Sequence, residues 1–220
     1  ANVTITTNGS VSDKVFDTTT SSFTTTNASG TVALGNASLA NGTVNTSSTF
    51  TSVNTTSSFT NASAGLQTVN LTAALQDTVN YTIVGGSSTY VGTNSANISK
   101  ANVTITGNGT VSDKVFDTTT SSAITANATG TVQLGNAALA NGAVNASSGY
   151  TNLSSSNSSF TNASAGVQTV NLTVALLGDT ANYTIVGGSS TRVVSTSANI
   201  SKANVTITTN GSVSDKVFDT

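Results

Sequence analysis

The chain has 220 residues, a formal net charge of -2 and 6% charged side chains, and it contains no Cys, His, Met, Trp or Pro. Glu is missing too, so all 8 acidic groups are Asp. Such a composition excludes a disulfide framework and gives no basic field for nucleic acid or an anionic membrane. The longest apolar run, around Val174–Leu177, falls far short of the roughly 20 residues that span a bilayer. Targeting signals are expected to lie outside this stretch.

Thr and Ser, 44 and 34 residues, dominate the chain, and polar–apolar alternation replaces helical periodicity. From the N-terminus, Val3 and Ile5 fall on one face and Asn2, Thr4 and Thr6 on the other. Further along, Val69, Leu71 and Ala73 oppose Thr68, Asn70 and Thr72. The segments NYTIVG from Asn80 and ANISKANVTIT from Ala96 alternate in the same way. This is the pattern of half-buried antiparallel strands. Asn-Gly pairs at Asn8, Asn41, Asn108, Asn141 and Asn210 separate such runs and predict tight hairpins. Seven to nine short strands per copy are expected, as in a β-sandwich.

The copies are long. VSDKVFDT occurs at Val11–Thr18, Val111–Thr118 and Val213–Thr220, and KANVTIT at Lys100–Thr106 and Lys202–Thr208. A spacing near 100 residues suits one small globular domain per copy and is too long for a solenoid coil. The predicted organisation is a first repeat over 1–100, a second over 101–202, and the opening strands of an incomplete third over 203–220. Comparing the copies pairs Phe16 with Phe116, Phe50 with Tyr150, Phe59 with Phe160 and Tyr81 with Tyr183. It also pairs Leu34 with Leu134, Leu71 with Leu172 and Val84 with Val186. These positions are expected to fill the cores, each contributing about 1.5–3 kcal/mol on burial. Phe23 and Tyr90, replaced in the second copy, are expected at the periphery.

Three stretches carry a resemblance. KVFDTTT resembles the KVYDGTT opening of YDG repeats, a bacterial immunoglobulin-like class related to MBG domains. SFTNASAGLQTVNLT resembles that family's aromatic, small polar loop and TVTV-like strand, and NYTIVGG with ANISKANVTIT resembles its NYTL segment and closing ITKA-x-VTVT. Thr18, Thr118 and Thr220 stand where the family has Gly. The resemblance covers nearly the whole repeat and implies an all-β fold of tandem immunoglobulin-like antiparallel β-sandwich domains in a linear array. It also implies the stalk of a large secreted, filamentous-haemagglutinin-like adhesin, with no catalytic residues.

Of 26 Asn, 23 are followed two places later by Ser or Thr, the acceptor pattern for N-glycosylation. Strand alternation also places an exposed Asn before an exposed Thr, but the excess exceeds what Ser and Thr content accounts for. The candidate acceptors are Asn2, Asn27, Asn36, Asn45, Asn54, Asn61, Asn70, Asn80, Asn97, Asn102, Asn127, Asn145, Asn152, Asn157, Asn162, Asn171, Asn182, Asn199 and Asn204. Sugars would supply the repulsion that a nearly uncharged β surface lacks; bundling through bare polar faces is the alternative.

No His, Cys or Glu is available for nucleophile–base or acid–base chemistry, so no enzyme activity, cofactor or metal is expected. Asp13, Asp17 and Asp77, with Asp113, Asp117 and Asp179, are weak candidates for calcium. Lys14 and Lys114 are candidates for an internal isopeptide crosslink with a nearby carboxyl group, or else lysines that solvate a strand edge. The expected role is structural and extracellular, at the cell surface: a fibre or adhesin stalk for attachment, cell–cell bridging or biofilm matrix. Expected partners are further copies of the repeat in the same chain and lateral copies, with cell-surface glycans or receptors reached through other regions. Alternatives are a carbohydrate- or receptor-binding module, or a subunit whose tail completes a neighbour by strand exchange.

Overall fold

A computed structural model describes residues 1–34, 47–135 and 148–217. Among these residues the secondary structure is β-strand without helix. The first copy forms β1 (Asn2–Thr7), β2 (Ser10–Val11), β3 (Lys14–Val15), β4 (Thr24–Thr26), β5 (Ser29–Ala33), β6 (Ser47–Phe50), β7 (Val53–Phe59), β8 (Gly65–Leu75), β9 (Thr82–Ile83) and β10 (Thr89–Ser99). The second forms β11 (Ala101–Gly107), β12 (Thr110–Val111), β13 (Lys114–Val115), β14 (Ile124–Ala126), β15 (Thr129–Val132), β16 (Ser148–Tyr150), β17 (Leu153–Phe160), β18 (Gly166–Leu176), β19 (Tyr183–Ile185) and β20 (Thr191–Ser201).

In the first copy one sheet runs β6-β5-β1-β9, another β3-β10-β8-β7, and β2 pairs with β4. The second copy repeats this as β16-β15-β11-β19, β13-β20-β18-β17 and β12-β14. The described strands therefore number more than the seven to nine expected, because two-residue strands such as β2 and β3 leave almost no periodicity to read. Nor are the sheets purely antiparallel. β1 runs parallel to β9 and β3 parallel to β10, as do β11 with β19 and β13 with β20.

Alternation explains which residues enter the core of the first copy. Val3, Val32, Phe50 and Ile83 from one sheet meet Val53, Ala73 and Leu75 from the other, with Ile5 and Tyr81 packed at the margin. Thr55, although polar, is buried and accepts the Ala28 N–H at 2.7 Å, so its hydroxyl is not left unsatisfied. In the second copy Phe160, Val170, Leu172, Ala198 and Ile200 form a core cluster.

Four expected core residues lie outside. Val84 and Val186 are exposed because Ile83 and Ile185 take the inward positions and the next residue in a strand faces out. Leu34 is exposed just beyond the end of β5, and Phe116 is exposed on the face where Phe16 is covered by Tyr183. Phe23 and Tyr90 are exposed, as expected of peripheral positions.

The Asn-Gly pair at Asn8 makes a corner, not a hairpin. β1, before it, pairs with β5, whereas β2, after it, pairs with β4. Gly9 supplies a φ of 83°, which side chains rarely adopt. Asn8 Nδ2 donates to the Thr93 carbonyl at 3.1 Å and Asn94 Nδ2 to the Gly9 carbonyl at 3.0 Å, pinning the corner to β10. Asn108 likewise donates to the Ser195 carbonyl at 2.8 Å. Asn41 and Asn141 lie outside the described residues, and Asn210 follows no strand.

Residues 203–217, expected to open a third copy, are exposed and form no strand. In the first copy this sequence pairs with Ser29–Ala33 and Thr82–Ile83. Neither partner occurs a third time in the 220 residues, and an unpaired strand is not stable in water.

The chain divides into two compact units. The first comprises Ala1–Gly107, Ala128–Ser154 and Ala175–Arg192; the second comprises Asn108–Asn127, Ser155–Val174 and Val193–Thr220. The first unit thus holds the whole first copy together with β11, β15, β16 and β19.

Candidate functional site

The KVFDTTT loop is built around an ion pair. Lys14 Nζ lies 2.6 Å from Asp17 Oδ1, and both side chains are almost wholly buried, at 7% and 6% exposure. The same ammonium donates to the Thr19 carbonyl at 2.7 Å and lies 5.4 Å from the centre of the Phe59 ring, a cation–π distance. Asp17 Oδ1 also accepts the Thr19 N–H and hydroxyl, each at 2.9 Å. Buried charges are tolerated when paired and hydrogen-bonded in this way. To close so tight a loop the chain passes through the left-handed region at Thr18, with φ of 68°, and Thr118 repeats it at 67°. Gly is the residue that reaches such a φ without strain, and both positions carry Thr instead.

The second loop repeats the bonds in a wetter setting. Lys114 Nζ lies 2.7 Å from Asp117 Oδ1, but the side chains are 16% and 48% exposed. The hydrogen bond from Lys114 holds the Asp117 carboxyl down at about 2, with help from the Thr119 N–H and hydroxyl. The pairing keeps the Asp117 carboxylate ionised. Lys14 sits on an edge strand, as the alternative supposed, but its ammonium is buried, not solvated.

Phe16 is buried, as expected of a core aromatic, and part of its packing comes from the second copy. Its ring meets Tyr183 edge-on, with centroids 5.3 Å apart and planes at 79°, a favoured aromatic geometry. Tyr183 in turn contacts Tyr150 at 5.2 Å. Around these rings, Ala64 N–H donates to Asn182 Oδ1 at 2.7 Å, Lys100 Nζ to the Thr180 carbonyl at 2.6 Å, and Gly135 N–H to the Phe16 carbonyl at 3.0 Å. Asp179 Oδ2 takes the Asn182 Nδ2 at 2.8 Å, which turns the amide oxygen towards Ala64. Burial pushes the hydroxyls of Tyr183 and Tyr150 above their usual range. All these residues belong to the first compact unit. They join the first copy to the sheet that opens the second, with one residue, Lys100, between β10 and β11.

The Asp candidates for calcium are dispersed. Asp13 accepts the Asn97 N–H at 2.7 Å, Asp113 the Asn199 N–H at 2.7 Å, and Asp77 the N–H groups of Val79 and Asn80 at 3.1 Å. Asn80, first through its side chain, lowers the Asp77 carboxyl. Among the described residues no three acidic groups gather. No described helix is long and apolar enough to cross a membrane, which says nothing of strands.

Of the candidate acceptors, Asn2, Asn27, Asn54, Asn61, Asn70, Asn80, Asn97, Asn102, Asn127, Asn152, Asn157, Asn162 and Asn204 are exposed. Asn171, Asn182 and Asn199 are half-buried, and Asn36, Asn45 and Asn145 lie outside the described residues. The register of β7, β8 and β10 sets Ser58, Asn70 and Thr93 side by side, on a face that also carries Asn54 and Asn97. Asn182 has both ends of its amide engaged in the joint.

No family model matches the chain, and neither the curated proteins nor the solved structures give a match.

Proposed function

We propose that the chain is a non-enzymatic structural stretch of a long extracellular fibre or adhesin stalk, built of immunoglobulin-like β-sandwich repeats in series. It serves attachment, cell–cell bridging or matrix formation, and carries N-linked sugars on its exposed Asn faces. The joint around Phe16, Tyr183 and Asn182 carries this reading. A chain whose copies were tethered independently would leave a linker; here one residue separates consecutive strands, and side chains of both copies interlock. The left-handed backbone at Thr18 and Thr118 adds support for the likeness to YDG repeats, because it occurs where those repeats have Gly. The Asn and Thr face of β7, β8 and β10 suits sugar attachment or lateral contact, since nothing charged interrupts it.

The test is made on native material from the cell surface. A denaturing gel should show a band far larger than this chain, and intact masses should exceed the polypeptide mass by sugar increments. Native material of this chain's size would end the stalk reading; a bare polypeptide mass would remove the sugars from it.

A further inference from the structure

Asn182 combines an acceptor triplet with the joint between copies. It opens Asn-Tyr-Thr, in which Thr184 supplies the hydroxyl residue of the acceptor pattern. Its backbone is held within the second copy: the N–H donates to Asp179 Oδ1 at 3.1 Å and the carbonyl accepts the Ala101 N–H at 2.9 Å. Its side chain faces two ways. Nδ2 donates to Asp179 Oδ2 at 2.8 Å, whereas Oδ1 accepts the Ala64 N–H of the first copy at 2.7 Å. Beside that bond, Phe16 covers Tyr183, the middle residue of the triplet. Asn70 and Asn97 differ, lying exposed on the outer face of β8 and β10.

Sugar transfer to Asn182 forms a bond between Nδ2 and the anomeric carbon of a diphosphate-linked donor. The bond from that carbon to the diphosphate oxygen breaks, and one Nδ2 proton leaves with the diphosphate. The product is a secondary amide, which holds its substituent trans to Cβ because the cis form is disfavoured. Trans to Cβ is the side of Oδ1. The sugar ring therefore stands beside the oxygen that the Ala64 N–H approaches, against the backbone of the first copy.

We propose that Asn182 is a conditional acceptor: a sugar placed there before the joint closes keeps it open, and a closed joint keeps Asn182 bare. Occupancy at this residue then decides whether the first copy moves with the sheet that follows it or hinges at Lys100, the one residue between β10 and β11. The inference rests on the reading that the exposed Asn faces carry sugars, and it names a residue where the same modification governs contact between copies.

The test uses the whole chain with an N-oligosaccharyltransferase and a diphosphate-linked donor. Presented folded, the chain should gain sugar at Asn70 and Asn97, and at least about tenfold less at Asn182, read by peptide mass. Presented unfolded, it should gain sugar at all three. After refolding, hydrogen exchange at the Ala64 and Gly135 amides reads the joint, because they donate to Asn182 Oδ1 and the Phe16 carbonyl. Both should exchange at least about tenfold faster in chains with sugar on Asn182 than in Thr184→Val chains treated alike, which keep the amide but lose the acceptor pattern. The Leu75 amide, bonded to the Ser88 carbonyl inside the first copy, should stay protected in both. Equal exchange at Ala64 and Gly135 in the two overturns the proposal and leaves the stalk reading whole. So does a folded chain that takes sugar at Asn182 as readily as at Asn70, or an unfolded one that refuses it there. Loss of protection at Leu75 as well would place the effect on folding and overturn the proposal too. If Ala64 exchanges freely even in the bare chain, the joint fails and takes both readings with it.

Discussion

Residues 11–22 and 111–122 are one sequence in two settings. Each forms the same Lys–Asp pair, the same bonds to the threonine two places after the Asp, and the same left-handed turn. Yet Lys14, Phe16 and Asp17 are buried, while Phe116 and Asp117 are exposed. The local bonds are therefore a property of the sequence, and the burial is a property of what lies against it.

The largest expected contrast is electrostatic. Asp17→Asn leaves a buried ammonium without its counter-charge and should cost about 3–5 kcal/mol, read as a shift in the urea midpoint. Asp117→Asn should barely move it, since exposed pairs contribute little. Equal shifts would break the comparison. The aromatic contrast comes next: Phe16→Ala should cost about 3 kcal/mol by deleting a packed ring, and Phe116→Ala less than half of that. The turn should not discriminate at all. Thr18→Gly and Thr118→Gly should each stabilise by about 1 kcal/mol, because both relieve a β-branched residue at positive φ. A gain at one position only would show that the loops differ in backbone as well as burial.

The smallest effect is with pH. The folded Asp117 carboxyl lies at about 2, below its ordinary 3.8, so its contribution is complete above the ordinary value and fades as pH falls towards 2. Asp117→Asn should flatten that part of an acid titration of stability. An unchanged acid limb would show that the Lys114 pair adds nothing.

Much of the architecture can be read from alternation alone. Val3, Val69, Leu71 and Ala73 point inward as the period of two requires. What escapes is whatever depends on contacts far apart in sequence. Asn8-Gly9 has the letters of a hairpin, but the strands on either side find different partners, β5 and β4, so the pair turns a corner. The parallel pairs rest on segments of two residues, too short to show a period. Phe16 looks like any core aromatic, because nothing near it in sequence announces a ring at position 183. One signal was available: Asn80-Tyr81 and Asn182-Tyr183 are kept in both copies with an Asp three residues before the Asn, although these residues are only partly buried or exposed. Retention at the surface between copies points to contact, as retention at Phe16 and Phe116 did without saying with what.

The parallel pairing of β3 with β10 bears on how the fold would respond to being drawn out. Tension drawn between Ser12 and Lys100 pulls the start of β3 backward and the end of β10 forward along a shared axis. The bonds between them, among them Phe16 N–H to the Ser99 carbonyl at 2.8 Å, are then sheared together instead of being peeled one at a time. A strand pair loaded in shear yields only when its bonds break at once, so the two-residue strand beside the buried ion pair acts as a latch against stretching.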